Sequence, residues 1–382
     1  MKTVHELLRE NIERWEIRGR GVLTFPERVS PRPPFAPFPG HHLKGFRGGD
    51  DGVRHTVVSG FLAKLGSIVR GISAPQPALI EGDTDQEENV EIEPDWCGEN
   101  AELVELRMRL PEGLNVARES VVPLLASMGY AEQPLVFEII GTASETWTQW
   151  VADVGDAEDL HRQMQAHFPQ VKLSVSNDAL SAALPESGEM AVVDFALSHA
   201  FLLPLASVKS DPFVTLIGAL SSLAEDELGI YQVIFTPLTE PWAEHATSAV
   251  TKADGKPFFD GGAGLVKAAQ QKTEGPLFGV VVRMAGIASE YERAWQIVRG
   301  MASALRHFSR AGGNEFMPLK NDDYDQADHI DDLLDRRTRR CGMLLNLDEL
   351  TGLVHLPSAA VQSKKFRRID TNTRAVEPQA TH

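Results

Sequence analysis

Several residue types in this chain can do chemistry, and their spacing decides what each can do. A loop that cradles phosphates needs GxxxxGK[ST], whose amides hold the phosphates while its lysine and hydroxyl hold the γ-phosphate and Mg²⁺. The nearest run is GGAGLVKAA at residues 261–269, where Lys267 has a suitable distance but no GK[ST] ending follows, so it reads as a loop leading into a helix. Twelve histidines raise the question of a metal. His41 and His42 are adjacent, and His161 and His167 are six apart, not at the i, i+4 spacing that places two ligands on one helix face. His199 and His355 each stand alone among apolar neighbours and read as structural histidines. Ser120, Ser198 and Ser210 lie outside any GxSxG elbow. Cys97 and Cys341 are far apart without a CxxC, which suggests neither a disulfide framework nor a zinc knuckle and fits a reducing, cytoplasmic setting. Adjacent acids such as Asp50 with Asp51 and Asp322 with Asp323 follow from an acidic composition, and none is marked as a general acid. The expectation is therefore no catalytic residue, no cofactor and no metal.

Positive charge is concentrated in two places, Arg336, Arg337, Arg339 and Arg340, and then Lys364, Lys365, Arg367 and Arg368. These are the candidate contacts to DNA or to a partner; they can grip phosphates, but pairing with the acids just before the first cluster in NDDYDQADHIDDLLDRRTRR, or at a subunit interface, is the favoured reading. A formal net charge of −17 over 382 residues argues against a broad phosphate-tracking surface, so DNA contact is expected to be local and indirect. The start of the chain lacks the apolar core of a signal peptide. No apolar run reaches the ~20 residues of a membrane span. The nearest candidate, 57–72, is interrupted by Lys64 and Arg70.

The elements that must position these residues follow from periodicity. Residues 5–18 read as a short amphipathic helix carrying Trp15, and SPRPPFAPFPG, with five prolines, as an extended arm whose Phe35 and Phe38 dock on a neighbouring surface. Residues 1–72 therefore form an N-terminal helix and Pro-rich arm, and 73–100 an acidic linker. From 101 the pattern is strand (ELVELRMRL), helix (VARESVVPLLASMG), strand (LVFEIIGT), strand (TWTQWVADV), helix (AEDLHRQMQAHF, with Asp156 as N-cap and Pro169 as its end) and strand (VKLSVSN). This order predicts an α+β fold of the ferredoxin-like, split βαβ kind over 101–180, one antiparallel sheet with two helices on one face. The architecture recurs over 181–320 without residue-level similarity, with an insertion around 254–264: MAVVDFALS, DPFVTLIGALSSLAEDEL, IYQVIFTPL, PLFGVVVRMAGI and the long helix EYERAWQIVRGMASALRHF. Helical stretches are expected at PWAEHATSAVTKA and GAGLVKAAQQK. Residues 321–382 form a C-terminal segment in which Asn346 or Asp348 starts a short helix, followed by a polar, mobile tail, SKKFRRIDTNTRAVEPQATH. The fold expectation is two tandem ferredoxin-like domains with an extended arm.

Taken in order, RPPFAPFPGHH, LVFEIIGTASETWTQWVADVGDAEDLHRQMQAHFPQV, DPFVTLIGALSSLAEDELGIYQVIFTP and RRCGMLLNLDELTGLVHLPS resemble the region ahead of the motor in HerA/FtsK-related type IV secretory system conjugative DNA transfer ATPases. The resemblance spans most of residues 25–369. It implies a P-loop motor, in cis or in trans, that assembles as a hexameric ring and acts on DNA. With no P-loop here, none of that family's catalytic residues can be placed on this sequence. The resemblance therefore implies a homo-oligomeric, cytoplasmic, non-catalytic platform in conjugation, a mobile element or phage defence. The alternative is a DNA-binding accessory subunit using the basic clusters, for which about four neutralised phosphates give a log–log salt slope near −3.6.

Overall fold

The computed structural model describes residues 102–369 apart from 115, 132, 177, 200, 239–242, 244–246, 248–249, 253–255, 258–262, 322–325 and 339–341. The N-terminal helix, the Pro-rich arm, the acidic linker, most of the expected helix at PWAEHATSAVTKA and residues 370–382 lie outside the described residues.

Among the described residues nine strands form one antiparallel sheet. In chain order the first set is β1 (Leu103–Arg109), α1 (Val122–Ser127), β2 (Leu135–Gly141), β3 (Thr146–Asp153), α2 (Val154–His167), β4 (Lys172–Ser176) and the short α3 (Ala179–Ala183). The second is β5 (Glu189–Leu197), α4 (Pro212–Leu220), β6 (Leu228–Pro237), α5 (Ala263–Lys272), β7 (Leu277–Ala288), α6 (Tyr291–Ala302) and β8 (Phe316–Pro318). Then follow α7 (Gln326–Leu334), β9 (Met343–Asn346) and α8 (Leu347–Val354). The spatial order is β4-β1-β3-β2-β6-β7-β5-β8, with β9 beside β7. The sheet is continuous across the middle, because β2 pairs with β6 from Leu135↔Phe235 to Gly141↔Gly229.

Local chemistry explains where the helices start. Asp211 caps α4 by accepting from the Phe213 amide, and Pro212 occupies its first turn, where a missing N–H costs nothing. Asn346 and Glu349 form a reciprocal capping box at α8. Helix α2 begins earlier than expected: Asp153 is its cap, accepting from the Gly155 amide, whereas the Asp156 carboxylate accepts from the Gln133 amide of a neighbouring loop. The expected long helix after β7 ends at Ala302 and tightens into a 3₁₀ turn over Ser303–Phe308. Helix α4 stops at Leu220, short of the expected run.

One face of the sheet carries the main apolar core under α1, α2, α4, α6 and α8. Its centre is aromatic: Phe137 lies edge-on to Trp150 at 5.5 Å and stacks on Phe213 at 5.8 Å, and Phe213 stacks on His355 at 4.3 Å. Helices α4 and α6 sit close to the strands because glycines are in register on three of them, Gly141↔Gly229↔Gly286. A Cβ on Gly286 would stand 2.4 Å from the Ala294 carbonyl oxygen, so the backbone of α6 rests directly on that strand.

The expectation that helices cover only one face is corrected. Strands β2 and β7 are buried along their whole length. On the second face Leu180 of α3 and Leu333 of α7 join Ile140, Ile230, Val192 and Ala285 in a separate apolar cluster. The described start of the expected mobile tail, residues 363–369, is held in place: Phe366 is buried, and backbone bridges join Thr146 to Phe366 and Pro111 to Ile369. Among the described residues no helix is long and apolar enough to cross a membrane.

Candidate functional site

On the second face, each of five adjacent strands carries one polar side chain at the same level. The register pairs Gln149 of β3 with Glu138 of β2, Glu138 with Gln232 of β6, Gln232 with Arg283 of β7, and Arg283 with Asp194 of β5. All five are at most 1% exposed. Apolar residues two positions away on each strand flank the row, Val136 and Ile140 around Glu138, Ile230 and Ile234 around Gln232, Val281 and Ala285 around Arg283. A burial of this depth is tolerable only if each group is satisfied.

The bonds run in sequence across the sheet. The Trp147 indole N–H donates to Gln149 Oε1 at 2.8 Å, Gln149 Nε2 donates to Glu138 Oε2 at 2.7 Å, and Gln232 Nε2 donates to Glu138 Oε1 at 2.9 Å. Arg283 donates from Nη1 to Gln232 Oε1 at 3.3 Å and from Nε to Asp194 Oδ1 at 2.7 Å. One row thus links the strands of both halves.

The segment 326–338 covers this row and adds further partners to it. Arg336 donates from Nε to Glu138 Oε1 at 3.1 Å and pairs through Nη2 with Glu105 of β1. His329 Nε2 lies 3.1 Å from Asp194 Oδ2. The carbonyls of Leu333 and Arg337 accept from Gln232 and Arg283, at 2.9 and 3.0 Å. Glu105 also accepts from the Ala179 amide at 2.6 Å, which ties the start of α3 to the same centre. Burial alone would lower the Arg336 pKa, but Glu138 and Glu105 outweigh it and hold the guanidinium above its usual range, so it is charged at every accessible pH. Its backbone is left-handed, φ 54°, a conformation that costs a non-glycine residue roughly 1 kcal/mol and is held here by those two carboxylates.

A second set of polar contacts lies on the other face. Asp211 accepts from His355 Nε2 at 3.0 Å and from the Ser358 amide at 2.8 Å, besides capping α4. Burial would raise its carboxyl, but these bonds outweigh it and its pKa falls to about 2. Lys272 of α5 is fully buried against Glu349 of α8, and Glu349 also accepts from the Leu205 amide at 2.8 Å. Desolvation is the largest influence on Lys272 and pulls its pKa down despite the carboxylate. Among the described residues no group of three or more His, Cys, Asp or Glu is placed to hold a metal ion.

The candidate contact residues are placed unequally. Arg336 is inside the row; Arg337 pairs with Asp332 and Asp335, acids just ahead of it, at 3.3 and 3.1 Å. Lys365 donates to the Leu223 carbonyl at 2.7 Å, and Arg368 donates to the Pro357 carbonyl at 3.1 Å while lying over the Phe366 ring. Lys364 and Arg367 are exposed. Arg339, Arg340, Trp15, Phe35 and Phe38 lie outside the described residues. Lys267 is exposed on α5. The row itself escapes a motif search, because its only sequence signal is a single polar residue in the middle of each of several apolar runs: LVFEIIG, IYQVIF, VVVRMAG and AVVDFAL. No family model matches the chain, and no curated protein matches its sequence.

Proposed function

We propose that the chain is a non-catalytic platform, built from two ferredoxin-like units, that docks on or assembles with a HerA/FtsK-type DNA-translocating motor on the cytoplasmic side. The ferredoxin-like reading of each half is supported by strand order: β4-β1-β3-β2 in one and β8-β5-β7-β6 in the other, each with a helix after its first and third strand.

The observation that carries the functional reading is how residues 342–369 are held. They contain LNLDELTGLVHLPS, the phrase that in the resembled family leads towards the motor. Here β9 pairs with β7, α8 is capped and packed in the main core, and the following strap bridges to Thr146 and Pro111 in the first half. A load applied through this segment passes into both halves of one sheet, and the buried charged row resists shear between them. A platform needs this property. Fold alone does not supply the function, so the resemblance and the clamped segment carry it together.

Co-expression with the HerA/FtsK-type motor of the same genome, followed by co-purification and mass measurement, tests the proposal. A stable complex of defined stoichiometry is expected; a strictly monomeric chain that ignores the motor contradicts it. The accessory DNA-binding reading keeps two exposed cations among the described members of the basic clusters, Lys364 and Arg367. It therefore predicts a log–log salt slope of about −1.8 or steeper, and absent or salt-independent DNA binding removes it.

A further inference from the structure

Between α6 with its 3₁₀ extension and the edge formed by β5 and β8 lies a cleft of ≈ 570 Å³, within the size range of small-ligand pockets. Its floor is apolar: Val193 and Phe195 from β5 and Val298 from α6 are buried, and Trp295 forms a half-buried wall. Two arginines on its rim, Arg299 and Arg306, are exposed and seven residues apart on one side of the helical stretch.

These two cations differ from several other arginines among the described residues. Arg283, Arg293, Arg336 and Arg337 are all ion-paired. The guanidinium groups of Arg299 and Arg306 make no ion pair or hydrogen bond with any described residue. One carboxylate, Glu315, shares the lining, which leaves the cleft a net positive charge on a chain whose net charge is −17. Guanidinium groups with free donors beside an apolar wall suit a ligand that is apolar over most of its body and anionic at one end. Addition of a peptide strand to the neighbouring edge fits less well. Strand β8 is three residues long and ends in Pro318, which has no N–H to donate.

We propose that this cleft binds a small ligand with a flat apolar body and one anionic group, the body against Trp295 and Phe195 and the anion at Arg299 and Arg306. The inference is independent of the motor-platform reading, since it concerns the β5–β8 edge, away from residues 342–369, and requires no partner.

The probe is 8-anilinonaphthalene-1-sulfonate, with N-phenyl-1-naphthylamine as its uncharged counterpart, titrated against the full chain by fluorescence. One sulfonate dye per chain is expected, with energy transfer from Trp295 that Trp295→Phe removes. Arg299→Gln and Arg306→Gln each weaken the sulfonate dye about fivefold, Glu315→Gln strengthens it, and the uncharged dye changes in none of them. Ala302→Leu, which fills the cleft from α6, abolishes binding of both dyes. Unchanged sulfonate affinity in the two arginine variants, whose side chains are exposed and not needed for folding, overturns the proposal. Retention of both dyes by Ala302→Leu overturns it equally.

Discussion

Two covers of the sheet, one on each face, are held by different physics. On one face α4 and α6 are seated by shape: glycines at 141, 229 and 286 let the helices approach, and an aromatic cluster fills the space beside them. On the other, the segment 326–338 is seated by charge. Arg336 and Arg283 meet Glu105, Glu138 and Asp194 in a site where each is at most 8% exposed. Apolar seating is tolerant, because a helix can shift by a fraction of an ångström and keep most of its burial. Charged seating is not, because desolvated charges are stable only with their partners in place. The second cover is therefore held jointly by strands from both halves.

Substitution separates the two kinds of seating. The largest effect is expected at Arg283→Met, which leaves Asp194 buried opposite a methyl group and should cost about 3–5 kcal/mol in urea unfolding. Gly286→Ala on the opposite face forces a Cβ against the Ala294 carbonyl, and a cost of about 1–3 kcal/mol is expected by the same measurement. If the alanine variant were the more damaging of the two, shape and not charge would dominate the fold's specificity.

Acid titration sharpens the contrast further. The folded-state pKa of Asp211 lies at about 2, below its ordinary 3.8, so its contribution is present above pH 4 and is lost as the pH falls towards 2. Asp211→Asn should therefore be less stable at neutral pH by roughly 2 kcal/mol and show a flatter stability profile between pH 4 and 2. A parallel profile in wild type and variant would remove Asp211 from the account. The smallest effect is expected at Asn346→Ala, which removes the reciprocal cap of α8 and should lower stability by about 1 kcal/mol.

Much of the scaffold was legible in the sequence, for identifiable reasons. The apolar runs LVFEIIG and LFGVVVRMAGIA are strands in any reading, and of the two helix starts the sequence offers, Asn346 and Asp348, it is Asn346 that caps α8, reciprocally with Glu349. The charged row was not legible, because its partners are remote: Arg336 reaches Glu138 across 198 positions and Glu105 across 231. Nothing local separates Arg336 from its neighbour Arg337, so both read as surface cations although one is buried and the other only partly. Phe366 was overlooked for a related reason. Four basic residues surround it, yet its ring is the anchor that seats the strap on Thr146. Asp153 and Asp156 were both able to cap α2, and the choice was made by a tertiary bond from the Gln133 amide to Asp156.

Whether a buried row of charges locks residues 326–338 onto both halves of the sheet can be read from native-state hydrogen exchange in Glu138→Gln. The substitution keeps the shape while removing the charge that faces Arg336 and turning one of two acceptor oxygens into a donor. The account predicts faster exchange at the Asp335 and Arg337 amides, which bond within this segment, with protection in α4 and α6 unchanged. Unchanged protection at 335 and 337, or a uniform loss across both faces, would contradict it.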